Sequence, residues 1–146
     1  MKKIFLICGF LAMVGSGFAY PSERVSPKVL ASFKSEFSNA KNVEWETGNN
    51  YFRATFSLNE QRVFAYYAVD GELMSIARYI SPVQLPINLF SNLKNDYSKF
   101  WISDLFEVSS SEGLNYYVTL ETADTKLVLR SSNGGRWNSY SRIKKI

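Results

Sequence analysis

Histidine is missing from this chain, and its one cysteine, Cys8, falls within the first 19 residues. With no imidazole and no second thiol, the usual ligand sets for zinc, copper and haem cannot be assembled. Neither can the common Ser/His/Asp and Cys/His nucleophile arrangements. The expectation is a non-enzymatic protein with no catalytic residues, no metal ligands and no cofactor; carboxylate chemistry and oxygen-ligand metals are the only routes left open. A disulfide framework is excluded too, so a conventional apolar core must hold the fold.

Long apolar runs and charge of one sign are also scarce. Ile4 to Val14 is apolar but well short of the roughly 20 residues that a membrane-spanning helix needs. Lys2 and Lys3 precede it, and Gly15-Ser16-Gly17-Phe18-Ala19 follows with small residues suited to a cut after Ala19. Residues 1–19 therefore read as a secretory signal peptide, which implies a periplasmic or secreted protein with no stable membrane insertion after cleavage. Cys8 lies too early in that segment to become a lipidated first residue. Setting Lys2 and Lys3 aside from the 17 Lys and Arg leaves 15 basic against 13 acidic side chains, a net of +2. A nucleic-acid binder would show a basic stripe, and none is present. The one local concentration, Arg142, Lys144 and Lys145, reads as a solvated chain end. The 127 residues left after removal of 19 from 146 have the natural size of one compact domain.

What the chain does have is self-similarity. A shift of 64 residues lays Phe52–Tyr79 on Tyr116–Ile143 without a gap, with Thr55/Thr119, Gly71/Gly135, Ser75/Ser139 and Arg78/Arg142 identical. The pattern predicts two units, residues 20–80 and 81–146, forming one compact domain. Each begins with a short helix. Ser26 and Pro27 open the first, with Val29, Leu30, Phe33 and Phe37 on one stripe; Pro82 and Pro86 delay the second, whose stripe is Leu89, Phe90, Leu93 and Tyr97. Alternating strands follow at Val43–Glu46, Tyr51–Leu58, Arg62–Val69 and Leu73–Ile80. The second unit repeats them at Leu105–Ser109, Tyr116–Thr122, Lys126–Ser131 and Trp137–Ile143, with about four extra residues between Phe100 and Gly113. Asp70-Gly71 and Asn133-Gly134-Gly135 mark tight hairpins. The fold class expected is α+β, a tandem repeat of a helix followed by a four-stranded antiparallel sheet, the helices covering one sheet face.

The helix bearing Val29, Phe33 and Phe37, the segment Ala40-Lys41-Asn42-Val43-Glu44-Trp45, the Tyr51–Phe56 strand and the Asp70-Gly71 hairpin together resemble the beta-lactamase-inhibitor-like, PepSY-like proteins of the bacterial envelope. The resemblance spans residues 25–146. It implies an exported tandem α+β repeat laid out like beta-lactamase inhibitor protein, whose open sheet grips a partner enzyme. The second unit departs from the pattern: Asn133-Gly134-Gly135 replaces Asp-Gly, and no tryptophan matches Trp45.

Alternation separates two faces. Phe52, Ala54, Phe56 and Leu58, with Val63, Ala65, Tyr67 and Val69, are assigned to the helix-covered core. The outward set comprises Tyr51, Arg53, Thr55, Phe64, Tyr66, Met74, Ile76 and Arg78, then Tyr117, Thr119, Glu121, Val128, Arg130, Asn138, Tyr140 and Arg142. Aromatics and arginines are the types enriched in interface cores. The candidate partner-binding residues are accordingly Tyr51, Arg53, Phe64, Tyr66, Arg78, Tyr117, Arg130, Tyr140 and Arg142, and the partner expected is an envelope protein or peptide, with inhibition of an enzyme as one outcome. Two alternatives stand beside this: the same pairs stabilise a sheet without any ligand, or two sheets meet face to face. A rival reading places a small molecule or ion in a cleft between the units, reached by Trp101 and the Ser109–Gly113 loop. Glu44, Glu46 and Glu107 are the carboxylates on first strands, with no defined separation for acid/base work. Asp70 and Glu72, like Glu121 and Asp124, lack the spacing of a calcium loop. Trp45, Trp101 and Trp137 are expected in core or inter-unit contacts.

Overall fold

The computed structural model describes residues 24–146, so the expected signal peptide lies outside the described residues. In order the elements are α1 (Pro27–Glu36), β1 (Lys41–Thr47), β2 (Tyr51–Leu58), β3 (Gln61–Ala68), β4 (Leu73–Tyr79), a 3₁₀ turn (Pro82–Gln84), α2 (Ile87–Asp96), β5 (Trp101–Ser110), β6 (Gly113–Glu121), β7 (Thr125–Ser132) and β8 (Asn138–Lys144). Every strand pairs antiparallel with its neighbours in sequence, giving one eight-stranded sheet in the order β1 to β8. Two four-stranded sheets were expected; β4 and β5 instead pair from Ser75↔Ser110 to Tyr79↔Phe106 and close the gap. The β4 pairing uses Phe106–Ser110, while β5 itself is longer than expected, running from Trp101 through Ser110, and its added first residues pair with β6. Because β4 and β5 are hydrogen-bonded side by side, the first four strands cannot lie face to face with the last four.

Both helices cover the same face. Val29 and Phe33 of α1 pack with Trp45, Phe52, Ala54, Phe56, Val63, Ala65 and Tyr67, and Leu89 and Leu93 of α2 with Leu105, Tyr116, Val118, Leu120, Leu127 and Leu129. Each fully buried ring or aliphatic side chain here contributes about 1.5–3 kcal/mol. Polar ties pin each helix to its strands: the Tyr67 hydroxyl donates to the Glu36 carboxylate at 2.6 Å, and the Trp137 indole N–H donates to the Leu89 carbonyl at 3.0 Å. Gly71 sits at φ +95 in the β3–β4 turn, where an added Cβ would lie 3.1 Å from the Lys28 carbonyl oxygen. The turn therefore needs glycine both for its conformation and for the close approach of α1.

Four register irregularities interrupt the ladder: at Lys41/Glu44 in β1–β2, Tyr66/Tyr67 in β3–β4, Ile102/Asp104 in β5–β6 and Val128/Leu129 in β7–β8. The two outermost strands, β1 and β8, each carry one of them together with charged residues, Glu44 and Glu46 on β1 and Arg142 and Lys144 on β8.

Candidate partner-binding face

The strand register assigns each candidate side chain to a face. Arg53 pairs with Tyr66, Thr55 with Phe64 and Tyr117 with Arg130, which puts these residues on the side opposite the helices. Tyr51 joins them, its ring 5.8 Å from that of Tyr66. Tyr140 joins them as well, edge-on to Tyr117 at 5.8 Å. Seven of the nine candidates thus share the helix-free face.

Arg78 and Arg142 do not. Tyr66↔Ser75 and Tyr67↔Leu73 leave Met74 without a partner, so Met74 and Ser75 both face away from the helices and the alternation slips by one residue. Beyond the bulge Ala77 and Tyr79 point to the helix-free face, while Ile76 packs against the α1 core and Arg78 lies opposite Val63 on the helix side. The same displacement occurs at the other edge. Val128↔Ser141 and Leu129↔Ser139 leave Tyr140 unmatched, so Arg142 falls opposite core residue Leu127 and Ile143 opposite Lys126. Arg78 is committed where it stands: its Nε–H donates to Glu107 and its Nη1 to Gln61 Oε1, the latter at 3.1 Å.

On the helix-free face the rings form a connected line across the strands. Phe64 meets Tyr79 at 5.8 Å, Tyr79 meets Phe106 at 6.3 Å, Phe106 stacks on Tyr117 at 5.2 Å and 13°, and Tyr117 meets Tyr140. These distances lie within the favourable range for ring pairs. Arginines flank the line. Arg53 and Arg62 place their guanidinium carbons 5.6 and 5.5 Å from the Phe64 ring centre, and Arg130 lies 5.8 Å from that of Tyr117. Phe64, Tyr66, Phe106 and Tyr117 are buried, whereas Tyr79 is 46% exposed, Trp101 53% and Ile143 55%.

Several members of this face escape sequence reading. Tyr79 is hidden by the bulge, Phe106 because the faces of the predicted strand Leu105–Ser109 are left unassigned, and Trp101 by the expectation that tryptophan fills the core. Trp101 pairs with Glu121, Glu121 with Lys126 and Lys126 with Ile143, one row across the far end of the helix-free face. Trp101 and the Ser109–Gly113 segment stand at opposite ends of β5, so the cleft that would join them is not formed.

The carboxylates are dispersed. Glu46 pairs with Arg53 and Glu107, on the other face, with Arg78. Burial raises the Asp104 carboxyl above its ordinary pKa, opposed by the Lys126 ammonium and assisted by Glu121. Burial likewise raises the Tyr79 phenol, with the Asp104 charge adding to it and Arg62 and Arg53 opposing it. Among the described residues no group of three or more Asp, Glu, His or Cys side chains could hold a metal ion. What the face presents to solvent is chiefly Tyr79, Trp101 and Ile143, set over a line of buried rings.

No family model and no curated protein matches the chain. Solved structures do. A BLIP-like protein from Bacteroides fragilis NCTC 9343 aligns with a TM-score of 0.70 at 17% identity, covering 82% of this chain and 86% of that one. A DUF2874 family protein from Bacteroides ovatus ATCC 8483 gives 0.73 at 16%, covering 82% and 87%. A Bacteroides eggerthii DSM 20697 protein described as periplasmic gives 0.72 at 14%, covering 82% and 88%. The chain therefore has the BLIP-like fold. No helix among the described residues is long and apolar enough to cross a membrane.

Proposed function

We propose that this is a non-enzymatic binding protein of the bacterial envelope, periplasmic or secreted, that recognises a protein or peptide partner through the helix-free face of its sheet. The observation that carries the reading is the line of rings from Phe64 through Tyr79, Phe106 and Tyr117 to Tyr140, flanked by Arg53, Arg62 and Arg130 and reaching solvent at Tyr79. Aromatic and arginine anchors supply most of the energy in protein interfaces. Inhibition of an enzyme is the form that recognition takes in this reading, as the likeness to BLIP-like proteins suggests.

The same proposal covers the organisation of the chain: a signal peptide at 1–19 and two related units, 20–80 and 81–146, of a PepSY-like duplicated module. Its support is the matching burial of Val29 with Leu89, Phe33 with Leu93, Phe56 with Leu120 and Ala65 with Leu129.

Site-specific photocrosslinking tests the proposal. A crosslinker at Tyr79 or Trp101 should capture one discrete envelope partner, while one at Val83, which is 80% exposed in the 3₁₀ turn, should not. Equal capture from all three positions, or from none, would sink it.

A further inference from the structure

An open cavity of about 760 Å³ lies between the α1–β1 connection and the β2–β3 turn, lined by Asn39, Lys41, Asn42, Ser57, Asn59 and Glu60 among others. Its volume falls within the roughly 300–1,000 Å³ of small-molecule sites. Three amides, a hydroxyl and one charge of each sign give it donors and acceptors in many directions and almost no net charge. Among the described residues, no hydrogen bond or ion pair engages these six side chains.

The backbone there runs against local preference. Asn42, Asn59 and Glu60 have φ of 54, 49 and 65, three of the four left-handed non-glycine residues among those described. Asparagine tolerates that region; glutamate has no such licence, and Asn-Gly is the pair a tight hairpin of this kind favours. A carboxylate stands at position 60 where glycine would suit the backbone better.

At the corresponding place in the second half, between the α2–β5 connection and the β6–β7 turn, the polar groups bond to one another. Lys145 lies 5.1 Å from the Trp101 ring centre, donates to the Thr122 carbonyl at 2.8 Å and pairs with Glu121 at 2.6 Å. Asp124 accepts hydrogen bonds from the Thr122 and Thr125 hydroxyls. Equivalent polar groups are thus satisfied within the protein in one half, whereas in the other they line a solvent-open concavity and, Ser57 apart, are exposed.

We propose that the first-half cavity binds a neutral saccharide unit. Sugar hydroxyls both donate and accept, as amides do, and a carboxylate such as Glu60 accepts from two adjacent hydroxyls at once. A phosphate would meet the Glu60 charge, and a divalent cation would find one carboxylate and the Lys41 ammonium. This site is separate from the aromatic face and does not depend on it.

The test is an NMR titration of ¹⁵N-labelled protein with glucose, galactose, N-acetylglucosamine and its β-1,4 dimer. At least one sugar should give saturable shifts confined to residues 38–42 and 57–60. Glu60→Gly should weaken that binding by roughly tenfold or more, yet raise Tm, since Asn-Gly suits the turn. No saturable shift with any of the four, shifts confined to another surface, or a Glu60→Gly variant that binds as tightly as the parent would overturn the proposal. So would a fall in Tm on that substitution, which would show Glu60 to be retained for folding.

Discussion

Arg78 and Glu107 face each other across β4 and β5 on the helix-covered side, at the one strand pairing that joins the first four strands to the last four. The Arg78 side chain keeps 38% of its surface exposed against 17% for Glu107, so solvent screens the pair and most of its Coulombic attraction is lost. Glu107→Gln should cost about 0.2–1 kcal/mol in urea unfolding at low salt. The loss should shrink in about 1 M salt, where the screening length falls to roughly 3 Å. An effect that does not change with salt would point to lost packing instead.

Because the sheet is continuous, damage to one core should be felt in both halves. Leu89 is fully buried under α2, and Leu89→Ala should destabilise the protein by about 2–5 kcal/mol. Unfolding followed at Trp45, in the first half, and at Trp137, in the second, should shift together. Two separate transitions, with only the Trp137 signal displaced, would show that the halves fold independently and that 20–80 and 81–146 are two domains.

The exposed rings should behave differently from the buried ones. Trp101→Ala should cost no more than about 1 kcal/mol, Tyr79→Ala about 1–2 kcal/mol because it ends two ring pairs, and both should abolish partner capture. Tyr117→Ala removes a fully buried ring and should cost about 3–5 kcal/mol. Thermal unfolding beside the capture assay separates the two effects.

Asp104 gives a pH dependence whose sign follows from its surroundings. Its folded pKa is raised chiefly by burial, so the folded state holds the proton more tightly than the unfolded chain. This contribution is fully present below the unfolded carboxylate value of about 3.9 and is lost as pH rises through the folded pKa. Asp104→Asn should therefore stabilise the protein at pH 7, with the gain shrinking as the medium is acidified. Chemical unfolding of both proteins between neutral and acidic pH checks it; a gain that grows on acidification would mean that the Lys126 attraction outweighs burial.

Much of this architecture is visible in the residues alone. Helical spacing marks Val29 and Phe33 and again Leu89 and Leu93, the strand Tyr51–Leu58 is correctly bounded, and alternation correctly assigns Phe52, Ala54 and Phe56 to the core. Alternation fails where one residue is inserted without a local signature. Nothing around Met74 or Tyr140 announces a bulge, yet each reverses every side chain beyond it, and this is why Arg78 and Arg142 stand on the wrong side for the candidate face while Tyr79 and Ile143 stand on the right one. The union of the halves into one sheet was hidden for another reason. The predicted strand Leu105–Ser109 already holds four of the five β5 residues that pair with β4, but nothing in those residues says which outer strand of one unit will meet which of the other.

The irregularities on β1 and β8 have a consequence for self-association. A flat, open margin on either outer strand would invite one molecule after another to add on, and a chain rich in sheet would turn into fibres. The kinks at Lys41/Glu44 and Tyr140, with Lys41, Glu44 and Glu46 on one strand and Arg142 and Lys144 on the other, deny the incoming backbone a straight template. The sheet accordingly ends at β1 and β8 in strands that are poor templates for a ninth.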